Sequence, residues 1–452
     1  MTAISRILVA NRGEIAVRII RACHDLGIET VAAVSEADRE SLPAKQADHT
    51  VCIGPSRALD SYLRIDTLIA AALGTKSDAI HPGYGFLAEH PEMAETCQKH
   101  GLIFIGPSPK NLREMGNKIL ARKAVEACSI PIIPGSEKVG NFHAAASIAQ
   151  NIGFPILLKA AAGGGGRGIV IVKDPEEFKT VFDTVTAEVQ AAFGDGTLYV
   201  ERYIPNARHI EVQIVADQLG NVIHIGERDC SVQRRYQKVI EEAPSPVVSP
   251  QLREEICQAA VKIAKNINYE SIGTVEFVLD QDSGKFYFLE MNTRIQVEHP
   301  VTEQISGVDL VKEQIHLAAG RPVSISQTEV RLHGHAIECR INAELAEADF
   351  RPSPGKITQW KPPERNGIRV DTHCFAGYLV PPFYDSLLAK VIVSGNDRPK
   401  AIEHMKFALK HFSVSGVDTT IPFLFKLIDN PDFVSGNINT RWIEDVIFTS
   451  GD

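Results

Sequence analysis

No Cys-X-X-Cys pair occurs anywhere in the 452 residues. The eight cysteines, Cys23, Cys52, Cys97, Cys128, Cys230, Cys257, Cys339 and Cys374, are scattered, so neither a cysteine-rich zinc site nor a disulfide framework is indicated. No apolar run approaches the ~18 residues of a membrane span. Arg6, Arg12 and Glu14 interrupt the apolar segment that a signal peptide would need. A soluble, cytoplasmic protein without membrane contact is expected. Positive charge is not in excess either: a net charge of −9 argues against a nucleic-acid surface. There is no internal repeat and no low-complexity tract. What remains is ordinary globular composition, 44% hydrophobic and 23% charged, in a chain long enough for about three domains or lobes.

The N-terminal stretch alternates short β-branched runs with helical patterns. Arg6 to Ala10, Glu29 to Val34, Asp78 to Ile80 and Leu102 to Ile105 read as strands. Glu14 to Leu26 is an amphipathic helix with Ile15, Ile19, Ala22 and Cys23 on one face. Such alternation argues a parallel α/β sheet. The first turn, Asn11-Arg-Gly-Glu14, lacks GxGxxG and reads as a tight strand-to-helix turn. His81-Pro-Gly-Tyr-Gly-Phe86 follows a strand end, where α/β folds place ligands; a plain turn fits the local residues equally.

A smaller lobe comes next. Pro155 to Lys159 and Ile169 to Val172 read as strands joined by a glycine-rich loop, Ala160 to Gly168. A P-loop would carry GK[ST] and open a helix; strand–loop–strand reads instead as a hairpin flap. The bare N–H groups of Gly163 to Gly166 suit phosphate oxygens, and Lys159 adds a charge beside them. Further on, the charged run Glu227 to Lys238 lies between apolar segments and is expected to cross the central sheet, with Gln233, Arg235 and Lys238 able to bind an anion. His209 alone reads as a satisfied core histidine. Beyond Gly320-Arg-Pro322, strand and helix patterns (His335 to Ile341, Tyr384 to Val393, Arg398 to Phe412) suggest a closing αβ lobe packed on the middle one.

The chemistry concentrates in Glu290-Met-Asn-Thr-Arg-Ile-Gln-Val-Glu298. If 286–298 is extended, Glu290, Asn292, Arg294, Gln296 and Glu298 share one face. Thr274 to Leu279 reads as the preceding strand, and folding the hairpin about Ser283 sets Glu276 opposite Glu290. Like charges directly opposite destabilise a sheet pair. Protonation or a lysine bridge would relieve them, as would a divalent cation held by Glu276, Glu290 and Asn292. These hard oxygens suit Mg²⁺ or Mn²⁺ rather than zinc.

In their order and spacing, these motifs resemble the biotin carboxylases of the ATP-grasp superfamily, over nearly the whole chain. The residues that carry the resemblance are Ala10 to Glu14, His81 to Phe86, the loop after Lys159, Gln233-Arg-Arg, Glu290 to Pro300, His335 to Asn342 and Pro352 to Ile357. It implies an α/β chain of α+β lobes with an ATP-grasp fold. A Rossmann-like parallel sheet would occupy about 1–115 and the ATP-grasp domain about 116–320, with a lid lobe at about 131–205. A C-terminal αβ lobe would occupy about 321–452. The implied activity is that of an ATP-dependent C–N ligase. ATP would meet Lys118, Lys159, Gly165 and Gly166 at its phosphates. Glu201, Arg202, Tyr203 and Ile204 would line adenine and ribose, with His209 near the sugar; Gln233 and Tyr236 would also meet the nucleotide, Tyr236 at a phosphate or the ribose, with Glu276 and Glu290 at the metal. Two Mg²⁺ or Mn²⁺ ions would sit on Glu276, Glu290 and Asn292. Lys238, Arg294, Gln296, Val297 and Glu298 would hold bicarbonate, with Glu298 as base and Lys238 and Arg294 as the catalytic cations. Tyr84, Gly85, Arg294 and Arg340 would receive biotin. Arg202 and Tyr236 stand where the family pattern has lysine and histidine, and the loop is one glycine shorter, with Ala162 at its start.

The chain lacks an Ala-Met-Lys-Met attachment site; Met405-Lys406 has the wrong flanks. Biotin is therefore expected on a separate biotin carboxyl carrier protein. The second expected partner is a carboxyltransferase subunit, and the expected assembly is a homodimer. The alternatives are another ATP-grasp ligase joining a carboxylate to an amine, and a non-catalytic nucleotide-binding protein. Gln296-Val-Glu298 with Arg340 argues against the first, and Lys238, Arg294 and Glu298 against the second.

Overall fold

The β-branched runs at the N-terminus pair as a parallel five-stranded sheet in a computed structural model that describes residues 4–136, 138–160, 169–194 and 196–447. The spatial order is His49–Cys52, Glu29–Val34, Arg6–Val9, Ala79–His81, Ile103–Phe104. Strand order reverses at Arg6–Val9, which opens a crevice at the carboxyl ends of Arg6–Val9 and Ala79–His81. The loops bearing Glu14 and Tyr84 meet there. Asn11 ties them, its Nδ2 donating to the carbonyls of Pro82 (2.6 Å) and Tyr84 (2.7 Å). Gly83 has φ +62°, and a Cβ there would lie 3.0 Å from the Ile15 side chain, so the close approach requires glycine.

The lid strands form a three-stranded antiparallel sheet, with Ile156–Ala160 between Ile169–Val172 and Leu198–Arg202. The helices Phe142–Ile152 and Pro175–Phe193 pack on it, burying Phe178 and Phe182 against Ile156 and Leu158. The glycine loop expected to close over phosphates, with Gly165 and Gly166, lies outside the described residues.

The middle and C-terminal regions share one sheet. Its order is Phe286–Asn292, Ser271–Asp280, Ala207–Ala216, Val222–Arg234, Gln237–Ala243, His335–Asn342, Leu387–Gly395, Ile368–Thr372. The expectation of a closing lobe packed on the middle one is thereby corrected. The strand Gln237–Ala243 leaves an open edge, and His335–Asn342 fills it with a ladder from Ile240↔Cys339 to Ala243↔Ala336. Among the described residues no helix is long and apolar enough to cross a membrane. All eight cysteines are free, and seven are buried.

The hairpin register sets Glu276 opposite Glu290 and Thr274 opposite Asn292. A bulge interrupts it there, so that Phe277 faces Phe288 and Leu289 is the extra residue. The extended reading of 286–298 needs correction as well. The strand ends at Asn292, because Thr293 turns its N–H and hydroxyl to Glu89 Oε1 (3.0 and 3.3 Å). Residues 294–298 then turn into the helix His299–Ser306, whose first turn holds Pro300, where proline is favoured.

One buried cluster anchors the lysine-bearing strand to the C-terminal region. Glu242 accepts from Arg398 Nε (2.6 Å) and lies 2.7 Å from His335 Nε2. Burial alone would raise this carboxyl, but His335 and Arg398 outweigh it and hold it at about 2 rather than 4.5. That difference stabilises the fold by roughly 3 kcal/mol at neutral pH. The stabilisation is complete above the usual carboxylate value and is lost as pH falls toward the folded-state value. Glu242→Gln is expected to lower the unfolding free energy by about that amount at pH 7, with the gap to wild type narrowing between pH 4.5 and 2 in denaturant titrations.

Candidate active site

The hairpin Val222–Arg234/Gln237–Ala243 closes through Arg235 and Tyr236, whose φ values are +48° and +64°. A two-residue turn with both φ positive normally takes Asn-Gly; here two bulky residues hold it, a strain that concentrates at functional sites. Glu444 accepts from the Arg235 N–H (2.5 Å), and Asp349 takes its guanidinium (3.1 Å). Arg235 therefore turns away from the anion seat that the sequence suggested for it. The turn leaves Lys238 opposite Gln233.

Lys238 Nζ lies 2.5 Å from Glu211, 2.8 Å from Glu276 and 2.7 Å from Glu298. Burial would depress this ammonium; the three carboxylates instead raise it well above its usual value. Glu298 is fully buried, yet Lys238 and Arg340 hold its carboxyl well below the usual range, with help from Arg228. Arg340 reaches Glu298 Oε2 (2.9 Å) and donates to Glu241 (2.6 Å). Burial, the Glu298 charge and incomplete compensation by Arg340 leave Glu241 at about 7.

Beside this cluster, Arg294 spans three side-chain acceptors. Its Nε meets Glu89 at 2.8 Å, Nη1 meets Gln296 at 3.0 Å and Nη2 meets Asn292 at 3.0 Å. Glu276 also takes His209 Nε2 (2.9 Å) and the amides of Asn292 (2.9 Å) and Gln296 (3.1 Å). His209 has Gln233 on its other nitrogen at 3.0 Å, so it belongs to the site and not merely to the core. The Glu290 carboxylate, by contrast, forms no hydrogen bond or ion pair among the described residues. Its side chain is open to the cleft, yet crowding by surrounding protein and the facing Glu276 raise its carboxyl. Two opposed carboxylates, one of them uncompensated, with an amide oxygen nearby, fit a hard divalent cation.

Lys238, His209, Gln233, Glu276, Glu290, Asn292 and Arg294 line one cavity of about 960 Å³. Lys118, Lys159, Arg202, Tyr203, Ile204 and Tyr236 share its wall, as do Gln296, Val297, Arg340, Tyr84 and Gly85. Two of the expected residues stand behind the wall. Glu298 is masked by Lys238 and Arg340, and Glu201 holds Lys159 in an ion pair.

Comparison with known proteins gives three family-model matches in order. They are the biotin carboxylase N-terminal domain over 3–112, the carbamoyl-phosphate synthase L chain ATP-binding domain over 117–326 and the biotin carboxylase C-terminal domain over 338–445. A biotin carboxylase of Nostoc sp. is 51% identical over 98% of this chain and 99% of its own. The chain belongs to the biotin carboxylase family. A pyruvate carboxylase subunit of Methanothermobacter thermautotrophicus is 50% identical over 98% of this chain and 90% of its own. Among solved structures, the biotin carboxylase domain dimer of Hydrogenobacter thermophilus 2-oxoglutarate carboxylase, in complex with MgADP, ADP and bicarbonate, matches with TM-score 0.93 and 47% identity. That match covers 98% of each chain.

Within this biotin carboxylase fold, sequence reasoning missed Glu211, Arg228, Glu89, Glu14 and Lys390. A signal existed for Glu211: His209, Glu211 and Gln213 alternate with Ile210, Val212 and Ile214, the same polar row that drew attention to Glu290. Arg228, fully buried, supports that row from behind, donating to Glu211 (2.5 Å) and Gln213 (2.8 Å). Glu89 gave no signal, since it meets Arg294 from 205 residues away.

Proposed function

We propose that this chain carboxylates biotin with bicarbonate at the expense of MgATP, the first half-reaction of a biotin-dependent carboxylase. The observation that carries the reading is the Lys238–Glu298–Arg340 cluster beside Arg294: a buried carboxylate flanked by cations, at the inner wall of a cleft with nucleotide-sized volume. Glu298 is ionised and can accept a proton. At rest Lys238 and Arg340 make it a weak base. An entering anion draws on Lys238 and Arg294, which loosens the hold of Lys238 on Glu298 and strengthens it as a base. Bicarbonate oxygen then attacks the γ-phosphorus, ADP leaves, and carboxyphosphate forms between the same cations. It releases CO₂ and phosphate; phosphate takes the ureido N–H proton, and the nitrogen attacks CO₂ while Arg340 and Arg294 stabilise the developing negative oxygen. Mg²⁺ or Mn²⁺ ions on Glu276, Glu290 and Asn292 would neutralise the ATP phosphate oxygens. Lid closure would exclude water from the labile intermediate.

Biotin would arrive on a carrier protein, a carboxyltransferase would take the carboxyl group onward, and the chain would work as a homodimer. Relatives named for pyruvate and for 2-oxoglutarate match over the whole length, which supports placing acceptor choice in a partner. The test is ATP hydrolysis with Mg²⁺, free biotin and bicarbonate. ADP and carboxybiotin should form only when all are present. A rate indifferent to bicarbonate and biotin would reject the reading, and stimulation by an amino acid would favour a carboxylate–amine ligase.

A further inference from the structure

One fully buried cation at the cleft has no part in the reaction as drawn. Lys390 lies on Leu387–Gly395, in the C-terminal region. Its Nζ donates to the Val297 carbonyl (2.9 Å) and pairs with Glu14 Oε1 (3.0 Å). Glu14 opens the first helix of the N-terminal region, and the same Oε1 accepts the Tyr84 phenol. Its other oxygen, Oε2, is buried without a hydrogen-bond partner. A buried ion pair is costly to assemble, and removing one member is worse than removing both. Three distant segments thus commit a buried charge pair to one carbonyl.

That carbonyl matters because it belongs to the residue just before Glu298, in a stretch that has left the sheet ladder. Other ties hold this stretch, among them Glu89 to Thr293 and Arg294, Gln296 to Glu276, and His299 Nδ1 to the Gln296 carbonyl (2.7 Å). None of these is made to Val297 itself. Tyr84 meanwhile also lines the cavity, its hydroxyl fixed by the same carboxylate.

We propose that the Glu14–Lys390 pair is a positioning device that locks the Val297 carbonyl and the Tyr84 phenol into one frame. In that frame Glu298 and the Tyr84 wall of the cleft are set together. The kinetic consequence rests on the reaction proposed above; the positioning itself does not.

Two variants test it. Lys390→Met removes the donor while keeping an unbranched chain. Amide hydrogen exchange across residues 293–298 should accelerate by about 10-fold, measured against the helix Pro250–Asn266 as internal reference. Nucleotide affinity should stay within about twofold while kcat for bicarbonate-dependent ATP turnover falls by about 10²-fold, the scale of a 1 Å misplacement. Glu14→Gln/Lys390→Met removes both charges, so Tm should recover toward wild type while kcat stays at the single-variant level. Unchanged exchange at 293–298, or kcat recovering together with Tm, would overturn the proposal. A wild-type protein without bicarbonate-dependent turnover would instead reject the reaction, and the exchange result would still decide the positioning.

Discussion

Glu298→Gln is expected to cut bicarbonate-dependent ATP turnover by about 10²–10⁴-fold, the usual range for removing a general base, while nucleotide affinity stays near wild type. The expectation rests on burial. Glu298 is hidden behind Lys238 and Arg340 and contributes no surface to the cavity that would take the nucleotide. Glutamine keeps the shape and an acceptor oxygen but cannot take the proton. It also frees Lys238 and Arg340 of one counter-charge, so anion affinity should rise or hold. Steady-state kinetics beside nucleotide binding by calorimetry separates these effects. A variant retaining more than about a tenth of wild-type turnover would remove Glu298 from the role of base, and loss of nucleotide binding would make it a structural carboxylate.

Glu290→Gln should separate activity from stability even more sharply. The Glu290 carboxylate has no hydrogen bond or ion pair among the described residues and faces Glu276 directly. Neutralising it removes a repulsion, so Tm should hold or increase. Its value in the reaction is as a cation ligand, so turnover at fixed Mg²⁺ should fall by about 100-fold, the upper end of what even a supporting residue costs a metal site. Part of the activity should return as Mg²⁺ is raised. Chelation of Mg²⁺ by EDTA should silence the wild type and the variant alike. A Glu290→Gln protein that is less stable yet fully active would show that the opposed carboxylates are held by protons and not by a cation.

These expectations rest on residues that were unevenly legible in the sequence. The carboxylate hairpin could be read because its determinants are local: alternation, a turn at Asp280 to Gly284, and a register fixed by counting. The Rossmann-like sheet and the flap strands were legible for the same reason. The end of the strand at Asn292 was not, since it depends on Glu89 capturing Thr293 across 204 residues. The shared eight-stranded sheet was hidden as well. Whether His335–Asn342 packs as a separate layer or adds to an open edge is decided by pairing partners, not by its own residues. Lys390 illustrates the limit of reading one strand at a time. A lone lysine in an apolar run gives no hint that Glu14 and Val297 await it from two other regions.

The bulge at Leu289 gives the hairpin turn an unusual status. Surface turns commonly tolerate insertions and deletions. Here a slip of one residue would set Val275 against Glu290 and rotate that carboxylate to the far side of the sheet. Lineages that shorten or lengthen 281–285 without an offsetting change beside Leu289 should therefore keep a foldable chain and lose its chemistry. Natural variation in that loop is expected to run through substitution at constant length.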